Sequence, residues 1–172
     1  MKAETACFTG PRPEKLMLKW DENHPELLRI KNELFKTVIQ LATLEGYRLF
    51  FTGMARGIDL IAAEAVLTAK KTITDIELAA AIPYRQQRLH QSVYWQRRYD
   101  SILQKCDQVL ILQENYTPFC FAQRNRYMVN QSSHLIAVYN ELSEGGTAST
   151  IRYAKKQGLN CTLIQTFLRS EP

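Results

Sequence analysis

Three glycine-bearing segments each follow an apolar run of strand length: Thr9-Gly10-Pro11-Arg12-Pro13, Thr52-Gly53-Met54-Ala55-Arg56-Gly57-Ile58-Asp59, and Tyr139-Asn140-Glu141-Leu142-Ser143-Glu144-Gly145-Gly146-Thr147. Glycine lets the backbone approach a ligand, and the unpaired N–H groups at the start of a following helix favour an anion such as phosphate. Gly10, Gly53, Met54, Ala55, Gly57, Gly145, Gly146 and Thr147 are therefore candidates for a phosphate cradle. Arg12 and Arg56 supply the counter-charge, and Asp59 is placed to accept a ribose hydroxyl. Each has a plainer account. The glycines serve tight turns, the arginines are solvated, and Asp59 is a first-turn acid favoured by the helix dipole. The segments lack the Gly-Lys-Ser/Thr ending of a P-loop and the complete GxGxxG of a dinucleotide fold.

These loops need elements to hold them, and hydrophobic periodicity supplies an alternation. Strands are predicted over residues 3–9, 47–52, 76–82, 108–112, 134–139 and 160–164, and helices over 26–44, 57–71, 86–105, 119–130 and 147–157. Leu27, Ile30, Leu34, Val38 and Leu41 mark the apolar face of the first helix. Pro25 suits its first turn, Asn23 or His24 its cap, and Gly46 the position just past its end. Strands alternating with helices imply α/β architecture: a doubly wound, mainly parallel, Rossmann-like sheet with helices on both faces. In such a sheet ligands bind outside the carboxyl ends of the strands, so the three loops share one edge. Residues 11–23 and 113–118 are the least regular and are expected to border the cleft. A chain of 172 residues is expected to form a single domain over 1–172.

The net charge of +5, from 22 Lys and Arg against 17 Asp and Glu, is compatible with a phosphate-bearing partner without requiring nucleic acid. Tyr84-Arg85-Gln86-Gln87-Arg88 through Tyr94-Trp95-Gln96-Arg97-Arg98-Tyr99 interleaves cations with aromatics, the composition of a surface that tracks phosphates and stacks bases. Against this, Trp95, Tyr99, Ile102 and Cys106 recur at helical spacing, which predicts a buried stripe with the arginines on the solvated face. Cys7, Cys106, Cys120 and Cys161, and His24, His90 and His134, show no ligand spacing, so no metal is expected. No apolar run approaches a membrane span or a signal peptide, and the chain reads as cytoplasmic.

The segments Thr9-Gly10-Pro11-Arg12-Pro13, Thr52 to Asp59 with Ala62-Ala63-Glu64, and Arg124-Asn125-Arg126-Tyr127-Met128-Val129 running on to Gly145-Gly146-Thr147 and Tyr153-Ala154 resemble the SLOG superfamily, most closely its YpsA-type branch. The resemblance implies a Rossmann-like fold and brings Arg124 and Asn125 to the ligand edge. It also implies binding or sensing of a small nucleotide or nucleotide-derived ligand, with no certain cofactor, and a homodimer. The middle and last segments also resemble the Rossmann domain of DprA, whose members bind single-stranded DNA, so nucleic acid is an alternative partner. The LOG branch, which hydrolyses nucleoside monophosphates, is a second alternative; it implies Glu64 and Glu144 as candidate catalytic acids near a bound ribose, with a structural role as the plainer account of each. Here Ser143-Glu144 precedes Gly145-Gly146-Thr147 and Ala148-Ser149-Thr150 follows, leaving the hydrolase motif incomplete. Asn140-Glu141 stands where the resemblance leads one to expect Asp-Gly.

Overall fold

Successive residues of a strand face opposite sides of its sheet, and the computed structural model, which describes residues 2–16, 19–141 and 144–167, shows what each side packs against. The strands are β1 (Thr5–Thr9), β2 (Leu49–Thr52), β3 (Glu77–Ile82), β4 (Gln108–Ile111), β5 (His134–Tyr139) and β6 (Asn160–Gln165). They form one sheet in the order β4-β3-β2-β1-β5-β6, every neighbouring pair parallel. The helices are α1 (Pro13–Leu16), α2 (Pro25–Leu44), α3 (Ile58–Ala69), α4 (Val93–Leu103), α5 (Cys120–Asn130) and α6 (Gly146–Lys156).

The chain winds outward from β1 through β2 and β3 to β4, then returns past β1 to lay down β5 and β6. Right-handed crossovers in opposite directions put the helices on opposite faces. Ala6, Phe8, Phe50, Leu78, Ala80, Ile136 and Val138 join α2, α3 and α4 in one buried cluster. Their strand neighbours Cys7, Phe51, Ala79, Ala81, Leu135 and Ala137 join Met128, Val129, Ile151 and Ala154 of α5 and α6 in the other. The doubly wound architecture is thus present with its sheet wholly parallel among the described residues.

Local expectations survive with shifted ends. The α2 stripe is buried as spaced, and His24 provides the cap: the Glu26 amide donates to its Nδ1 at 3.2 Å. β2 begins at Leu49 rather than residue 47, and residues 2–4 form a 3₁₀ turn ahead of β1. The helix predicted over 86–105 divides into a 3₁₀ turn, Gln87–His90, and α4. The break is at Gln91 and Ser92, whose ψ values of 158° and 160° are extended and release the chain from the helical path. Residues 11–23, expected to be irregular, contain α1, whose Leu16 is fully buried.

Candidate functional site

The return of the chain past β1 makes the boundary between β1 and β5 the topological switch point, where a crevice opens at the carboxyl ends of the strands. A cleft of about 260 Å³ occupies it. Of the candidate residues, Gly10, Arg12, Ala55, Asp59, Arg124, Asn125, Gly146 and Thr147 line it. Four loops or helix starts therefore meet there: the β1–α1 loop, the β2–α3 loop, the first turns of α5 and the start of α6.

The β2–α3 loop is rigid for local reasons. Thr52 Oγ1 donates to the Asp59 carbonyl at 2.9 Å and accepts from the Met54 amide at 3.2 Å, while Asp59 Oδ2 accepts from the Ala55 amide at 3.3 Å. This winding leaves Met54 in the left-handed region, φ 57°, an uncommon conformation for a side chain, and Met54 is fully buried. Gly57, at φ 87°, starts α3; a Cβ there would lie 2.9 Å from the Pro11 carbonyl oxygen.

Arg124 reaches this loop from α5. Its Nη1 donates to the Gly53 carbonyl and, at 3.3 Å, to Asp59 Oδ2, and Gln87 Nε2 donates to the same Gly53 carbonyl at 3.3 Å. A Cβ on Gly53 would fall 1.5 Å from Arg124 Nη1. Gly53 is therefore glycine so that the protein's own guanidinium can cover it. In the same way Ile58 packs onto Gly10, where a Cβ would lie 2.4 Å from it. Gly146 differs: a Cβ there would meet nothing within 4 Å, and it opens α6 into the cleft.

Asp59 and Arg124 have side-chain exposures of only 7% and 5%. Burial pushes the Asp59 carboxyl up against the opposing attraction of Arg124, and pushes the Arg124 guanidinium down, with Arg12 adding like-charge repulsion. The Arg124 Nε is buried without a hydrogen-bond partner among the described residues. Arg12 lies 4.7 Å over the Phe121 ring. Lys15 approaches Gly145, where a Cβ would sit 3.4 Å from the Lys15 Nζ. Asn125 Nδ2 donates to Thr150 Oγ1 at 3.0 Å, and that hydroxyl donates to the Gly146 carbonyl at 2.7 Å, which fixes the first turn of α6 against α5. Cations thus outnumber acids around the cleft, and the open N–H groups of α6 add partial positive charge.

Other candidates lie elsewhere. Met54 and Gly53 are buried and do not line the cleft, and Arg56 turns to Glu14 at 2.9 Å, beside a smaller depression shared with Arg12, Tyr84 and Gln87. Glu64 is absent from the lining; Arg98 holds it with bonds of 2.6 and 2.7 Å. Glu144 is exposed just before α6, and Leu142 and Ser143 of that loop lie outside the described residues. Among the described residues no group of His, Cys, Asp and Glu is arranged to hold a metal. Burial raises the Cys7 thiol to about 12 and the Cys106 thiol to about 11, which disfavours the nucleophilic thiolate form of both.

The aromatic-basic stretch over 84–99 needs one correction. Trp95, Tyr99 and Ile102 are buried as expected, Cys106 lies past the end of α4 and is only half-buried, and Arg97 is exposed, but Arg98 is not on the solvated face. Its side chain is 13% exposed and bridges Glu22 and Glu64, because the Glu22 loop folds over α4 and presents a carboxylate to it. Arg85 pairs with Glu114 and Arg88 with Asp100, so most cations of this stretch are neutralised within the protein.

The family model YpsA, described as the YspA SLOG family, matches residues 6–168. The chain belongs to this family. Relatives include the uncharacterised SPbeta prophage-derived protein YoqJ of Bacillus subtilis, 29% identical over 77% of this chain and 84% of that one. UPF0398 proteins are 28% identical in Bacillus cereus, over 88% of this chain and 83% of the relative, and in Halalkalibacterium halodurans, over 87% and 79%. A solved structure of DNA processing protein A from Helicobacter pylori, described by its single-stranded DNA binding mode, superposes with a TM-score of 0.64 at 18% identity. It covers 94% of this chain, which spans 65% of that structure, and the likeness is one of fold.

In this YpsA-family chain the cleft is also walled by Thr9 and Pro11, which the first motif contains, and by Glu14, Lys15 and Phe121, which no motif marks. Glu14 and Lys15 fall inside the irregular stretch expected to border the cleft, which is the signal the sequence offers for them. Phe121 has none, since an aromatic at the start of a helix reads as core until the crossover over the sheet is known.

Proposed function

We propose that the cleft binds a nucleotide or nucleotide-derived ligand through an anionic phosphate held at the start of α6. The observation that carries this reading is the meeting of Arg12, Lys15, Arg124 and the unobstructed Gly146, which opens α6, at one cleft. Guanidinium, ammonium and helix-start N–H donors gathered in this way favour an anion, and a phosphate offers oxygens to accept from them. Asp59 stands at the same wall as an acceptor for a sugar hydroxyl, and Phe121 offers an aromatic edge. A sensing or carrier role fits better than hydrolysis, because Glu64 is engaged by Arg98 outside the cleft and Asp59 by Arg124.

A DprA-like reading, in which the anion belongs to single-stranded nucleic acid, draws support from the neighbour's DNA-binding description and the cationic cleft. Titration calorimetry with AMP, ADP-ribose, inorganic phosphate and a short single-stranded DNA separates the readings when each mixture is assayed afterwards for breakdown. Micromolar binding of an intact small ligand, roughly 8 kcal/mol, is expected. Gly146→Asp, whose Cβ would meet nothing within 4 Å, should weaken it at least about tenfold, or ~1.4 kcal/mol, by placing an acid where the phosphate sits. Absence of binding by every probe to folded protein would overturn the proposal, and a cleaved ligand would replace it with an enzyme.

A further inference from the structure

α5 and α6 lie side by side on one face of the sheet, fastened at one end by Asn125 to Thr150 and further along by the Tyr153 hydroxyl, which donates to Asn130 Oδ1 at 3.0 Å. Between them runs a groove of about 460 Å³. It shares Phe121, Asn125 and Gly146 with the switch-point cleft, so the two spaces adjoin along these residues. The far part of the groove is lined by Arg126, Arg152, Tyr153 and Lys156.

The charge on these helices is one-sided. They carry Arg124, Arg126, Arg152, Lys155 and Lys156 and no Asp or Glu, as many cations as the net excess of the whole chain. Among the described residues, Arg126, Arg152 and Lys156 make no ion pair, whereas arginines of the 84–99 stretch do. Arg126 lies 5.5 Å over the Tyr153 ring, so a cation and an aromatic face stand together in the groove. From Gly146 to Arg152 the helix rises roughly 9 Å, too far for one phosphate to meet both.

We infer that the groove between α5 and α6 takes the second nucleoside unit of a ligand whose first phosphate sits in the cleft, with Arg126 and Arg152 meeting its phosphate and Tyr153 its base. This rests on the nucleotide reading of the cleft and narrows it to ligands of at least two linked nucleoside units. Cations paired with an aromatic surface are the sequence-tolerant means of holding a nucleotide chain.

The test compares the affinity of the whole protein for AMP, a pyrophosphate-linked diadenosine dinucleotide, and 5′-phosphorylated oligodeoxyadenylates of two and four units. The second unit should raise affinity at least about tenfold, and Arg126→Ala combined with Arg152→Ala should remove that gain while leaving AMP binding within twofold. Both side chains are exposed, so folding should be unaffected. A gain confined to the pyrophosphate-linked probe identifies a dinucleotide ligand, and one confined to the oligonucleotides a strand; either supports the inference. If AMP binds but the second unit adds less than twofold, or the double variant keeps the gain, the groove inference is overturned while the cleft reading stands. If nothing binds, both fall.

Discussion

Asp59 and Arg124 face each other at 3.3 Å with almost no solvent between them, and each is positioned by bonds to backbone atoms of one loop, the Ala55 amide and the Gly53 carbonyl. A buried pair is costly to form, and removing one member strands the other. Asp59→Asn should therefore destabilise the fold by roughly 3 kcal/mol, read as a shift in the urea midpoint. Arg124→Met alone should cost less, because an unpartnered Asp59, already pushed toward its protonated form by burial, escapes the penalty by taking up a proton. The double replacement Asp59→Leu with Arg124→Met should recover most of the Asp59→Asn loss. Equal and additive losses would show that the pair is not coupled. At this scale the motif tells which residues gather, but not why. Gly53 has the look of a ligand's approach, and it is the approach of Arg124 that requires it.

Between elements, the decisive contact is Arg98 of α4, which ties Glu64 of α3 to Glu22 in the loop ahead of α2. Burial of Glu22 raises its carboxyl, but hydrogen bonds from Lys31, Arg98 and Tyr94 outweigh that and hold it at about 2. A carboxyl depressed in the folded state stabilises the fold above its unfolded value, 4.5, and loses that contribution as pH falls toward 2. The stability of the protein should thus fall between pH 4.5 and 2, and Glu22→Gln should flatten that limb in urea unfolding at stepped pH. An unchanged limb would remove Glu22 as its source. Edge elements should also open first. β4 has Val109 48% and Ile111 39% exposed and one unpaired side, so its amides should exchange with deuterium faster than those of β1 or β2.

The whole molecule separates charge by face and edge. Lys71 lies just past the end of α3 remote from Ile58, roughly 18 Å along the helix from the cleft edge. Lys71→Glu and Arg152→Glu change the net charge equally, so only position distinguishes them. Dinucleotide affinity should fall several-fold with Arg152→Glu and stay within twofold with Lys71→Glu at moderate salt, where fields beyond about 10 Å are screened. Equal effects would mean that the ligand responds to overall charge. The sequence by itself determined the strands and helices, their alternation, the parallel doubly wound sheet and the presence of the loops on one edge. Those follow from periodicity, turn residues and handed crossovers, all of which are local or general to the chain. Tertiary structure alone decided that β5 pairs with β1 rather than β4, and so that Arg124 covers Gly53 across 71 residues of sequence. It also decided that Arg98 is engaged while Arg126 and Arg152 line the groove without an ion pair among the described residues. The choice of a charged side chain's partner depends on which distant backbone arrives beside it, and no spacing along the chain records that.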